Sequence, residues 1–182
     1  MILNGIDIER LAALGEVVTT DPEAASVSAR VRTDWKGGYR VRSDTQELVF
    51  GGVPISRGVT LPADLPQQLG GSDGGPAPGE MVLSALGSCV AQGFIEAAAI
   101  GGIQVDRLEV STEGYLDLRG TAGVEGVRPG LSKIHLGVEV ESSASAEVLD
   151  GLLTEAVRLS PVADSLTAGV AIGANVRQPS PA

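Results

Sequence analysis

The stretch GEMVLSALGSCVAQGF, Gly79–Phe94, decides how this chain is read. Its apolar residues recur at helical spacing and run around most of a helix circumference, which predicts a core helix contacted from several sides. The same stretch holds Cys89, the only cysteine of the 182 residues. Read alone, a single thiol on an apolar helix is more often a small buried hydrophobe than a nucleophile. Gly87 and Ser88 just before it, and Gly93 about a turn after it, would let another backbone or a ligand approach the sulfur.

Outward from this helix, the chain divides into recognisable pieces. The apolar run from Met81 to Ile103 is broken by Ser84, Gly87, Ser88, Gln92, Gly93 and Glu96, so it reads as a core helix and not a membrane span. It ends at Gly101-Gly102. Before it lies PADLPQQLGGSDGGPAPGE, too rich in glycine and proline for regular structure and of the kind that is often functional when it sits inside a compact domain. Its glycines lack the GxxxxGK[ST] pattern of a phosphate loop.

Further upstream, Asp7 is placed to cap a helix over 8–18 with a stripe of Ile8, Leu11, Leu14 and Val18. SVSARVRTDW predicts a strand, YRVRSDTQELVFGG one or two more, and VPISRGVTLP another extended piece. Downstream, alternation at Val105, Leu108 and Val110, and again at Tyr115, Leu116 and Leu118, predicts strand. SKIHLGVEVES is a clear strand. ASAEVLDGLLTEAVRLS is a helix capped by Ser145, which Pro161 stops or kinks. DSLTAGVAIGANVRQ predicts a turn and a last strand. Strands largely precede the main helix and do not alternate singly with helices, so the fold class is α+β with antiparallel sheets.

Composition sets the function classes. A formal net charge of −10 argues against nucleic acid and against an anionic membrane surface as partners. One cysteine and one histidine offer no metal cluster and no internal disulfide, and nothing points to a cofactor. The free thiol suits a reducing cytoplasm, and the N-terminal residues, which carry acids and no basic region, do not read as a signal peptide. His135 lies in the strand phase opposite to Ile134, Leu136 and Val138 and is given no catalytic role.

PAPGEMVLSALGSCVAQGF, followed by GGIQVDRLEVSTEGYLDLRG, VRPGLSKIHLGVEVES and LSPVADSL, resembles the OsmC/Ohr family of osmotically inducible and organic-hydroperoxide-resistance proteins. The resemblance covers residues 26–177, behind an N-terminal helical extension of residues 1–25 and ahead of a frayed tail, 178–182. It implies an intertwined homodimer whose antiparallel sheets wrap central helices, with active sites at the subunit interface. It also implies a thiol at Cys89 that attacks an organic hydroperoxide, held by an arginine and a glutamate.

The chain departs from the family pattern at two places. Ser160 stands where the family has its second cysteine, so an external thiol would have to regenerate Cys89. Gly79 stands where the family has its glutamate. Glu80 is the substitute, but at about 100° per residue it points about 180° away from Cys89 on one straight helix, and an acid in a first helical turn is favoured in any case by the helix dipole. Arg40, after the Gly-Gly turn, is the first choice for the arginine, with Arg42 and Arg57 as alternatives.

Two readings follow: a one-cysteine peroxidase using Cys89, Arg40 and Glu80, or a non-catalytic dimer holding a small hydrophobic ligand in its interface cleft. A hydrolase built on Ser160 or Ser165 lacks a histidine placed to serve it.

Overall fold

The structure is a computed structural model, and it describes residues 1–178; the expected tail lies outside the described residues from 179 onward. The chain opens with a small hairpin, β1 (Ile2–Leu3) and β2 (Ile6–Asp7), turned through Asn4 and Gly5, both at positive φ. Helix α1 (Ile8–Thr20) follows, and the Asp7 carboxylate accepts hydrogen bonds from the Glu9 and Arg10 N–H groups as its cap. Asn4 fastens this unit to the rest. Its amide donates to the Ile103 carbonyl at 2.8 Å and accepts from the Val105 N–H at 3.0 Å.

Next comes a four-stranded antiparallel sheet of β3 (Val27–Trp35), β4 (Val41–Phe50), β5 (Val53–Ser56) and β6 (Thr60–Ala63). YRVRSDTQELVF therefore makes one strand, and VPISRGVTLP makes two short ones. β4 lies at the centre. Trp35 faces Val41 across β3–β4, Phe50 faces Val53 across β4–β5, and Val41 faces Ala63 across β4–β6. Gly51 and Gly52, both at positive φ, make the two-residue turn that a right-twisted hairpin favours.

The helix predicted around Cys89 is α2 (Pro78–Ile100), which starts on a proline whose fixed φ suits a first helical position and ends at Gly101. Strand β7 (Arg107–Tyr115) pairs antiparallel with β8 (Lys133–Glu141), with Arg107 opposite Glu141 and Tyr115 opposite Lys133. Between them the expected second run of alternation, Tyr115 to Leu118, does not continue as strand. The Asp117 carboxylate accepts from the Arg119 N–H at 2.9 Å and nucleates a helical turn, α3 (Leu118–Thr121).

Helix α4 (Ala146–Arg158) is capped by Ser145. Pro161 then neither ends the chain's helical course nor merely kinks it: it opens a separate helix, α5 (Pro161–Ala168), with Ser160 as its cap. DSLTA is thus helical and not a turn. The last strand expected in GVAIGANVRQ does not form either. Residues 169–178 make no backbone hydrogen bond among the described residues, and Val170, Ile172 and Val176 stand 68%, 92% and 92% exposed.

The core is where α2, α4, β7 and β8 meet. Val90, Phe94 and Ala98 of α2 pack with Leu86, Val105 and Ala156, all buried. α2 is long and apolar enough to cross a bilayer by length and composition, but its buried face belongs to this core. α2 is contacted by α4, β7 and α5, as the sequence predicts, but one side is open. Ser84, Ser88, Gln92, Glu96 and Ile100 recur every four residues and are exposed.

The four-stranded sheet has even less cover. No helix packs substantially on it, and Val27, Val31, Trp35 and Val53 are more than half exposed. The exposed surface is 12887 Å², against about 8,200 Å² expected of a compact monomer of this mass. Residues 169–178 account for part of the excess, and the uncovered sheet and helix faces for much of the rest.

Candidate functional site

Cys89 sits on α2 at the border between its buried and its open face, and is half-buried. It opens onto a cavity of about 460 Å³ between α2, the end of α4 and the start of α5. Gln92, Gly93, Glu96, Ala97 and Ile100 supply one wall of it, and Ala156, Leu159, Ser160 and Pro161 the other. Gly93 is where α4 comes nearest this part of α2, with room for a methyl group at ordinary contact. A methyl group there would lie 3.5 Å from Cα and Cβ of Ala156. Gly87 serves a different neighbour. A Cβ on it would lie 3.0 Å from the Thr112 hydroxyl, so it admits β7 and not a ligand.

Ser160 shares the Cys89 cavity. Its side chain is buried, and its hydroxyl accepts from the Ala163 N–H at 3.1 Å. Ser160 and Cys89, 71 residues apart in sequence, therefore line one cavity, and the serine is engaged as a helix cap. Ser165, inside α5, donates to the Pro161 carbonyl. His135 is exposed on β8 opposite Glu113 and does not line the cavity that holds Cys89 and Ser160.

The other two site residues are not at the cavity within one chain. Glu80 is turned back on the start of α2, where its carboxylate accepts from the Ala77 N–H at 2.7 Å; it caps the helix. Arg40 lies at the β3–β4 turn, in a second cavity formed by Gly37–Arg40, Asp64 and Gly70–Ser72. Its guanidinium makes one long hydrogen bond, 3.4 Å to the Lys36 carbonyl, and no ion pair among the described residues. Arg42 is engaged with Asp44 at 3.1 Å, and Asp44 is held below the usual carboxylate range by the Thr60 hydroxyl and then by Arg42. Arg57 is exposed in the β5–β6 connection.

The charged residues that line the Cys89 cavity are thus Glu96 and Glu155, both acids. Glu155 pairs with Arg158 at 2.6 Å, which holds its carboxyl below the ordinary range. Among the described residues, no cation lines this cavity within one chain.

A second built feature, given no role in the sequence, is Asp64. It is 1% exposed and directs both carboxylate oxygens into the loop that follows β6. One oxygen accepts from the Leu65 N–H at 2.8 Å. The other accepts from the Ser72 N–H, the Ser72 hydroxyl and the Gly74 N–H at 3.0, 2.6 and 3.0 Å. These donors, led by the Ser72 hydroxyl, lower its pKa to about 2. The segment read as irregular is therefore a folded loop pinned at its base, with a single 3-10 turn at Gln67–Leu69.

A sequence profile of the family described as OsmC-like protein matches residues 70–175, from the pinned loop through α5. The chain belongs to the OsmC-like family. Solved structures share its fold at low identity. An OsmC-like protein of Mycoplasma pneumoniae aligns with a TM-score of 0.62 at 17% identity, over 78% of this chain and 89% of that one. An organic hydroperoxide resistance protein of Elizabethkingia anophelis gives 0.58 at 15% identity, over 78% and 89%. The organic hydroperoxide resistance protein OsmC of Legionella pneumophila gives 0.56 at 15%, over 76% and 88%. Among curated proteins, none matches the chain in sequence. At these identities the structural likeness speaks for the OsmC-like fold alone.

Proposed function

We propose that this OsmC-like chain is a one-cysteine, thiol-dependent reductase of organic hydroperoxides that works as a homodimer through Cys89. The observation that carries the reading is the cavity: a half-buried thiol facing a largely apolar space of about 460 Å³, beside the family's second cysteine position. An apolar pocket with one reactive group suits a hydroperoxide with an organic tail better than hydrogen peroxide.

The chemistry balances as follows. The Cys89 thiolate attacks the distal peroxide oxygen of ROOH, the O–O bond breaks, and RO⁻ leaves and takes from solvent the proton the thiol released on ionising, giving ROH. Cys89 becomes a sulfenic acid. Ser160 cannot close a disulfide, so an external thiol condenses with the sulfenic acid and releases water. A second thiol then reduces the mixed disulfide and returns Cys89.

The thiolate needs a cation, and among the described residues the single chain brings none to the cavity. The uncovered faces support a second copy as its source. Arg40 is a guanidinium with no carboxylate partner among the described residues, on an uncovered sheet. Glu80, used as a cap, has the lesser part. A reducing cytoplasm is the compartment that suits a single free thiol.

The acids Glu96 and Glu155 favour a second reading, a non-catalytic dimer that holds a neutral apolar ligand in the same cavity. Turnover separates the two. With cumene hydroperoxide and dithiothreitol, the first reading requires peroxide consumption that Cys89→Ser abolishes. The second requires none, with ligand-dependent thermal stabilisation in its place.

A further inference from the structure

We propose that Asp64 is a positioning residue of this site, acting through the loop Leu65–Gly75 to hold the Tyr39–Arg40 turn in place. This rests on the reading of Arg40 as the cation that serves Cys89.

The β3–β4 turn fixes its backbone locally but not the outer part of the Arg40 side chain. Gly37 and Gly38 both lie at positive φ, the backbone closes through Lys36 N–H to the Arg40 carbonyl and Arg40 N–H to the Gly37 carbonyl, and the Trp35 indole N–H donates to the Gly38 carbonyl at 2.9 Å. The Arg40 guanidinium adds only its long bond to the Lys36 carbonyl, and the side chains of Tyr39 and Arg40 lie against the loop after β6. A Cβ on Gly70 would stand 3.3 Å from the Tyr39 ring, and one on Gly74 would stand 3.8 Å from Cδ of Arg40 and 3.2 Å from the Asp64 carboxylate. The loop surface is therefore the floor under both side chains, and it is bare glycine where they lie on it.

Asp64 gives that floor its shape. The chain leaves β6 at Ala63 and comes back so that the Asp64 N–H reaches the Pro76 carbonyl at 3.3 Å, and the Asp73 N–H reaches the Leu65 carbonyl at 3.1 Å. Within this closure one carboxylate oxygen gathers three donors from Ser72 and Gly74, eight and ten residues away. At Gly71 there is no room for any side chain, because a Cβ would overlap the Leu65 backbone. A carboxylate can accept from all these donors at once. An amide in its place turns an NH₂ group toward at least one of them. Arg40 and Asp64 share a cavity without pairing, so Asp64 does not hold the guanidinium directly and leaves its charge free for another group.

The test is the pH profile of Cys89 alkylation by iodoacetamide, which reads the thiolate fraction, in the full-length protein. Arg40→Gln sets the reference, and loss of the cation should move the profile upward by roughly one unit or more. Asp64→Asn should move it in the same direction, and Arg40→Gln with Asp64→Asn together should move it no further than Arg40→Gln alone. Ser72→Ala, which removes one of the four hydrogen bonds to Asp64, gives a smaller upward shift and keeps the test open if Asp64→Asn fails to fold.

If Arg40→Gln shifts the profile but Asp64→Asn and Ser72→Ala lower only the melting temperature, Asp64 is merely structural and the inference is overturned. A profile unmoved by Arg40→Gln removes the Arg40 reading itself, and the role of Asp64 with it.

Discussion

Asp64 shows how a residue can matter through partners that are distant in sequence. Its carboxyl is held at about 2 by the loop donors, below the ordinary value of about 3.9. A depressed carboxyl stabilises the fold fully above its unfolded value, and that contribution is lost as pH falls through the folded value. The stability gap between the native chain and Asp64→Asn should therefore be widest above about pH 4 and shrink between pH 4 and 2. Denaturant midpoints at pH 6 and near pH 2.5 check this, and an unchanged gap would contradict it. Nothing local in PADLP marks this aspartate, because its donors lie eight and ten residues on. Cys89 and Ser160 are singled out by the ordered motifs, but that they line one cavity is not legible in the sequence. That Ser160 caps α5, and that acids line the thiol cavity, depend on how α4 and α5 pack on α2.

At the scale of elements, local rules carried most of the reading. α2 was legible from periodicity and its glycine stop. α1 and α4 were legible from Asp7 and Ser145, and β8 from strict alternation. The errors fell where a neighbour decides. Pro161 reads as a stop or a kink, yet a proline also suits a first helical position when a serine precedes it as cap. GVAIGANVRQ has strand-like residues but finds no sheet edge beside it in one chain, and a strand cannot exist unpaired.

Glycines where elements touch give a sharper test of packing. A Cβ at Gly120 in α3 would overlap the backbone carbonyl of Arg128 and stand 2.8 Å from Cα of Pro129, backbone that cannot turn aside. Gly120→Ala should cost about 1–3 kcal/mol by overpacking. Gly93→Ala meets only ordinary contacts and should be neutral or gain up to about 1 kcal/mol from helix propensity. Urea midpoints for the two variants should separate in that order.

For the molecule as a whole, the single chain is unbalanced. A core centred on α2, α4, β7 and β8 is well packed, while the sheet of β3–β6 and the open stripe of α2 have no cover. An amphipathic sheet is unstable without a packed face, so the account requires a second copy. Sedimentation equilibrium at micromolar concentration should give twice the 18.5 kDa chain mass. A stable, folded monomer would contradict the dimer and remove the proposed source of the cation. No stretch of sequence announces this imbalance directly, because uncovered apolar area is a property of the assembled chain.

The most direct test is a single-turnover measurement of Cys89 oxidation by cumene hydroperoxide and by hydrogen peroxide, with the product identified by mass spectrometry. The account predicts sulfenate at Cys89, formed far faster than on free cysteine and with preference for the organic peroxide, reversed by added thiol and absent in Cys89→Ser. Oxidation of Cys89 no faster than that of a free thiol, or without preference between the two peroxides, would contradict it.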